Sequence, residues 1–249
     1  MGGFTPIQLV NAMENLCKLE LPGTLQNLAY ERIKILLING QLEFDEVYSA
    51  NQFAEILGVS RTPIREALLQ LTAEGFFIFL RGRGFKIKEF SEKEIRDFFE
   101  TRKMIESYVI EQLVETVTEE DLKPLEDSLK RMLNGHDQEE IYRFLATDKS
   151  FHMNLIHRYK NNLLESIMEN IRDFISILGQ KALTSPGRVK EVIREHQRIV
   201  KALRQKDKNK AVQAINDHLD ATEKSLIENL HRNRGDDAVA RKAPSNKER

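Results

Sequence analysis

The chain carries a single cysteine, Cys17, among its 249 residues. That leaves no intrachain disulfide framework and fits a reducing compartment. No uninterrupted apolar run approaches the roughly 20 residues that a bilayer span needs. The opening Met1-Gly2-Gly3-Phe4-Thr5-Pro6 has neither a charged n-region nor a hydrophobic h-region, so no secretory leader is expected. An excess of one charge sign is missing too: 38 Lys and Arg stand against 39 Asp and Glu, for a formal net charge of -1. Such a balance conceals any local patch and neither supports nor excludes nucleic acid. No internal repeat recurs at a fixed period. These absences predict a cytoplasmic protein of one large or two ordinary domains, without a membrane partner.

The most organised stretch runs from Ser60 to Leu71. Thr62 suits a helix cap, and Pro63 suits a first turn, where no intrahelical N–H bond is lost. Ile64, Ala67, Leu68 and Leu71 follow at helical spacing, and Arg61 and Arg65 flank the start, where they could reach phosphates or base edges. Alone, this is a capped amphipathic helix with two solvated arginines. Its neighbours say more. Ser49 is expected to cap a preceding helix with Phe53, Ile56 and Leu57 buried, which Gly58 stops. Two helices joined by Gly58-Val59-Ser60-Arg61 form a helix-turn-helix. Upstream, Leu25, Leu28, Ala29, Ile33, Leu36 and Leu37 mark another helix, and Gln41 to Tyr48 reads as a polar connection. Residues 1–22 read as an N-terminal arm.

After Gly75 the period changes to that of strands. Phe76–Leu80 and Phe85–Lys88 flank the turn Arg81-Gly82-Arg83-Gly84, giving a hairpin with a cationic tip, a wing. From Ser60 to Lys88, Arg61, Arg65, Arg81, Arg83, Lys86 and Lys88 outnumber Glu66 and Glu74. A compact positive footprint on a winged helix-turn-helix is what double-stranded DNA requires.

The remainder reads as helical. Ser91 and Glu94 form a capping box that opens a helix with Ile95, Phe98, Phe99, Ile105, Val109 and Leu113 buried. Further helices are expected at about 118–134, 137–159, 161–183, 187–205 and 208–231. The predicted architecture is mainly α. A winged helix-turn-helix domain (23–90) precedes an all-α antiparallel bundle of six to seven helices (91–232), and a disordered tail (233–249) follows.

Polar residues inside the apolar stripes carry the chemistry. Asp148 and His152 share the stripe of Ile141, Leu145 and Leu155. His196 lies on that of Val189, Val192, Ile199 and Leu203, and His218 on that of Ala211, Ile215 and Leu219. Each such group buried unpaired costs roughly 1–3 kcal/mol, so four on three helices need a shared solution. One solution is a divalent transition metal, zinc first, with nickel, manganese or iron as alternatives. The other is a hydrogen-bonded core network. His136, His157 and His231 fall off the stripes. Arg102 lies inside the stripe of its own helix, either paired with a carboxylate such as Glu106 or clamping a ligand carboxylate.

Phe53-Ala54-Glu55-Ile56-Leu57-Gly58-Val59-Ser60-Arg61-Thr62-Pro63-Ile64-Arg65-Glu66-Ala67-Leu68 closely resembles the GntR family of bacterial transcription regulators, and the Arg83-Gly84 wing tip fits it. The resemblance implies operator contacts by Arg61 and Arg65, a phosphate contact by Thr62, and a wing, with Arg81, Arg83 and Gly84, in the minor groove. Asn51 stands where family members often carry a DNA-touching arginine, and Phe44-Asp45 replaces the usual Pro-Gly turn, so operator sequence does not carry over. Asp148-x-x-x-His152, Glu195-His196-x-x-Ile199 and Asp217-His218-Leu219 are similar to the FCD effector domain. In its metal-binding members these positions hold the ion, and an arginine at the position of Arg102 often lines the effector cavity.

The function expected is that of a ligand-responsive regulator, a repressor, binding a pseudo-palindromic operator as a homodimer and sensing a small organic acid at the metal. Two alternatives stand beside it: a metal-dependent hydrolase, and a regulator whose metal is purely structural.

Overall fold

In the computed structural model, which describes residues 24–133, 138–182 and 187–240, the chain divides into two units. Among the described residues, one comprises 24–36 with Glu43–Lys88, the other Leu37–Leu42 with 89–133, 138–182 and 187–240. The expected arm at 1–22, His136, and residues 241–249 of the expected tail lie outside the described residues.

The first unit contains α1 (Leu25–Ile38) except its last two residues, β1 (Val47–Tyr48), α2 (Ala50–Leu57), α3 (Arg61–Ala73), β2 (Phe77–Leu80) and β3 (Gly84–Ile87). Ser49 caps α2 through a reciprocal box with Gln52, and Gly58, at φ 66°, closes it in the left-handed conformation that glycine adopts without strain. Ile56 departs from its expected burial and is 71% exposed. The eight-residue helix packs through Ala50 and Phe53, and Ile56 falls on its flank. On α3 the cap is Ser60, not Thr62. Thr62 is already helical, and Ser60 makes no side-chain cap bond. Pro63 therefore sits among the first-turn positions whose N–H has no intrahelical partner. Ile64, Ala67, Leu68 and Leu71 are all buried, as their spacing requires. Tyr30 Oη on α1 donates to Glu74 Oε2 at the end of α3 (2.6 Å), and burial together with that carboxylate pushes the phenol up to about 12.

The wing has three antiparallel strands in the order β1-β3-β2, with Tyr48 and Phe79 both opposite Phe85. The strand β1 lies within the stretch expected to be only a connection, because two residues are too short to display a period. Gly84 makes its approach possible. At φ 138° it occupies backbone space that disfavours L side chains, and a Cβ there would run into the Tyr48 carbonyl.

The second unit holds α4 (Glu92–Leu113), α5 (Glu119–Leu133), α6 (Gln138–Tyr159), α7 (Asn162–Ala182), α8 (Arg188–Arg204) and α9 (Lys208–Ala240). Ser91 and Glu94 form the expected capping box at α4. Thr118 and Asp121 exchange N–H to oxygen bonds at the start of α5, and the Asn161 side chain accepts from Leu163 and Leu164 at the start of α7. The last helix continues to Ala240 instead of giving way to a tail at 233. Packing runs α9 on α4 and α8, and α6 on α4, α5 and α7. Phe99, Val109, Phe151, Ile156, Met168, Ile199, Ile215 and Leu219 fill the core this creates. The fold is mainly α, with its only sheet among the described residues in the wing.

Candidate functional site

The α6, α8 and α9 stripes meet as their periods require. Asp148, His152, His196 and His218 are all buried, and one ligand atom from each lies within 4.8 Å of the others. His152 Nε2 is 3.3 Å from His196 Nε2 and 3.2 Å from His218 Nε2, while Asp148 Oδ1 is 3.4 Å from His196 Nε2.

Around this point each element supplies a support, and three of the supports end in a buried arginine. His218 Nδ1 donates to Glu195 Oε2 (2.7 Å), and Arg188 grips both Glu195 oxygens (2.6 and 3.1 Å) while reaching Thr222 Oγ1 (3.0 Å). His152 Nδ1 donates to Glu106 Oε2, and Arg102 Nε donates to Glu106 Oε1 (2.7 Å). Arg172 Nη2 donates to Asp148 Oδ2, which leaves Oδ1 to face the histidines. His196 has no such support. Its ring lies 4.1 Å from the Phe151 centroid, and its Nδ1 has no partner.

Tautomer logic makes this a candidate cation site. A proton on Nδ1 of His152 and of His218, each facing a carboxylate, leaves both Nε2 atoms as acceptors aimed at one another. Asp148 Oδ1 adds another acceptor. Nitrogen ligands at about 2.0 Å from a tetrahedral ion are separated by about 3.3 Å, so the observed spacing fits a first-row divalent ion. Protonation fits as well. Burial opposes charge on Asp148, but Arg172 and the three imidazoles outweigh it and hold the carboxyl well below its usual range. Burial and neighbouring cations push His152 far down, and burial with His218 brings His196 to about 3. Both are neutral at pH 7, the form a metal needs.

Arg102 is fully buried and paired with Glu106. Its Nη2 lies 3.3 Å from both His152 ring nitrogens, and its Nη1 has no partner. A cavity of about 30 Å³ adjoins the cluster, lined by Asp148, His218, Arg188, Thr222 and Ser225 together with apolar side chains. That is room for one or two waters. Arg172, Arg188 and Glu195 were not legible as site residues. The partner of Arg172, Asp148, lies 24 residues away in sequence, and Arg188 opens its helix like any solvated charge. His157 and His231 are exposed, His231 beside Glu92 (2.8 Å).

In the first unit Asn51, Arg61, Thr62, Arg65, Arg81 and Arg83 are exposed, and Gly84 is partly so. Arg61, Arg65, Arg81 and Arg83 make no ion pair with a described residue. They leave the α3 start and the wing tip cationic.

The family model described as "Bacterial regulatory proteins, gntR family" matches residues 25–87, and the "FCD domain" model matches residues 97–221. The HTH-type transcriptional regulator YdhC of Bacillus subtilis is 29% identical over 205 residues, spanning 81% of this chain and 90% of that protein. The gluconate operon transcriptional repressor of the same organism is 27% identical over 199 residues, spanning 77% and 80%. The solved structure of Escherichia coli McbR/YncC shares the fold, with TM-score 0.72 and 21% identity over 84% of this chain and all of that one. The curated relatives are transcription regulators, which removes the hydrolase alternative. With a winged helix-turn-helix matched by one model and the helical unit by the other, the chain belongs to the GntR family and is a DNA-binding transcription regulator with an FCD domain, not an enzyme.

Proposed function

We propose that this regulator is a ligand-responsive repressor that binds a pseudo-palindromic operator as a homodimer and senses a small organic acid at a divalent ion. Asp148, His152, His196 and His218 would hold the ion. The observation that carries the sensing part is the convergence of imidazole nitrogens and a carboxylate oxygen, one ligand atom from each of the four residues within 4.8 Å of the others. Zinc is the first choice, with nickel, manganese or iron as alternatives, and the ion would supply a positive charge that attracts a carboxylate.

Charge in the helical unit supports an anionic effector. Arg102 pairs with Glu106, Arg172 with Asp148 and Arg188 with Glu195, so these three buried carboxylates are each matched by a guanidinium group, and buried Asp173 is matched by Lys149. A divalent cation then adds positive charge that nothing nearby offsets, and a buried surplus favours an anion beside it. Arg102, with its unpartnered Nη1, and Arg188, which lines the cavity, are the arginines available to that anion. About 30 Å³ does not admit an organic acid, so binding would require the cavity to open. An acid that binds only the opened form shifts the population by its differential affinity, and no more.

On the DNA side, Arg61, Thr62 and Arg65 would contact the operator from α3, Arg81, Arg83 and Gly84 from the wing, and Asn51 from the start of α2. Two such heads reading successive half-sites call for a dimer. Repression is supported by the relative named as a gluconate operon repressor.

The test uses untagged full-length protein. Elemental analysis is expected to find a stoichiometric divalent ion. Gel shifts on a duplex enriched from a random-sequence library are expected to change with at least one small organic acid, in ion-loaded protein only. An acid effect that survives chelation, or protein without bound ion, overturns the sensing reading. Bound ion with no acid response points to a purely structural metal.

A further inference from the structure

Of the four exposed arginines on α3 and the wing, Arg65 is the one that rests on a ring among the described residues. Its Cζ lies 5.7 Å from the centroid of Phe79. Phe79 is 42% exposed, an aromatic that the core leaves half uncovered. Alternation along β2 puts it on the same face as buried Phe77, and α3 packs on that strand. Phe79 emerges where the core ends and the cationic half of α3 begins. From below it is held by Phe85, its partner across the ladder, with ring centroids 5.1 Å apart and Phe85 fully buried.

We propose that Phe79 is a positioning residue for DNA readout, its ring holding the Arg65 guanidinium at a set place relative to the wing. An arginine side chain loses much rotamer freedom when it makes an ordered contact, and that loss weakens binding. An ion pair could order it beforehand but would also neutralise the charge that attracts DNA, and Arg65 has none among the described residues. Stacking on an aromatic face orders the guanidinium plane while leaving the charge and the edge donors free for a bidentate contact to a base edge. The rigid sequence Phe85, Phe79, Arg65 thereby makes the start of α3 and the wing one reading surface. This inference rests on Arg65 being a DNA contact.

The test is a double-mutant cycle in full-length protein on a duplex enriched from a random-sequence library, with an unenriched duplex beside it. An exposed cation–π contact corresponds to about a two- to fivefold change in affinity. Phe79→Leu is expected to weaken binding to the enriched duplex by that factor, to leave the unenriched duplex unchanged, and to add nothing in an Arg65→Ala background. Phe79→Tyr, which keeps the ring, is expected to bind as the parent does. Phe79→Met repeats the cycle should the leucine variant lose stability. Equal losses on both duplexes, a loss that persists without Arg65, or no loss at all overturns the positioning role alone. Unchanged binding by Arg65→Ala overturns the reading of Arg65 and this inference with it.

Discussion

To hold a metal, Asp148 would have to be ionised, buried and correctly turned all at once, and Arg172 contributes to that. Its Nη2 holds Oδ2, its charge is the largest of those that, with the three imidazoles, outweigh the burial disfavouring the carboxylate, and the remaining oxygen faces the histidines. Removing one partner of a buried pair leaves an uncompensated charge and costs about 3–5 kcal/mol. Arg172→Leu is therefore expected to lower the urea midpoint of the metal-free protein strongly, and saturating divalent ion should recover part of that loss by replacing the missing positive charge. An unchanged midpoint in chelated protein would mean that Asp148 is not held as described. The three histidines are fixed differently: His152 and His218 by carboxylates behind Nδ1, His196 by packing on Phe151.

At the scale of elements, helix ends and cross-helix pairs set the bundle. Asp121 closes the start of α5 on Thr118 and also accepts from Arg158 Nε on α6 (2.6 Å). The Arg158 hydrogen bond is the main cause that brings its carboxyl down to about 2. A carboxyl lowered on folding contributes stability above its unfolded value, near 4, and that contribution disappears as pH falls through about 2. The pair is partly exposed, and solvent screening limits it to about 1 kcal/mol or less. Asp121→Asn should lower the urea midpoint slightly at pH 7, and the gap to the parent should shrink between pH 4 and pH 2. A gap that does not change with pH would assign the effect to the cap alone. In the wing, Gly84 plays the corresponding part, admitting β1 beside β3 where any side chain would meet the Tyr48 carbonyl.

For the molecule as a whole, a near-zero net charge coexists with two opposite local economies of charge. The DNA-binding unit leaves its arginines exposed and unpaired among the described residues, whereas the helical unit buries arginines and matches each to a carboxylate. An ion that binds only the folded chain stabilises it by mass action, about 2.7 kcal/mol at a hundred times its dissociation constant. For a chain of this size that corresponds to roughly 5–10 °C in Tm. Chelation is expected to lower Tm by that amount and replacement of the ion to restore it, read by calorimetry. A chelator-insensitive Tm in protein shown to be loaded beforehand would place the ion elsewhere.

What the sequence by itself determined was whatever repeats along a helix or strand. The stripe of α3, the cap at Ser49, the capping box at Ser91, the hairpin, and the inward turn of Asp148, His152, His196 and His218 follow from period and cap chemistry, which are local. A long family motif around Ser60–Leu68 identified the DNA-binding unit for the same reason. Only the tertiary structure decided what depends on residues far apart in the chain: that β1 joins the wing, that Arg172, Glu106, Glu195 and Arg188 stand behind the candidate ligands, and that Arg65 rests on Phe79. Those contacts bridge sequence separations that no period records. Their partners are ordinary charged or aromatic residues, whose roles come from the neighbours that folding brings to them.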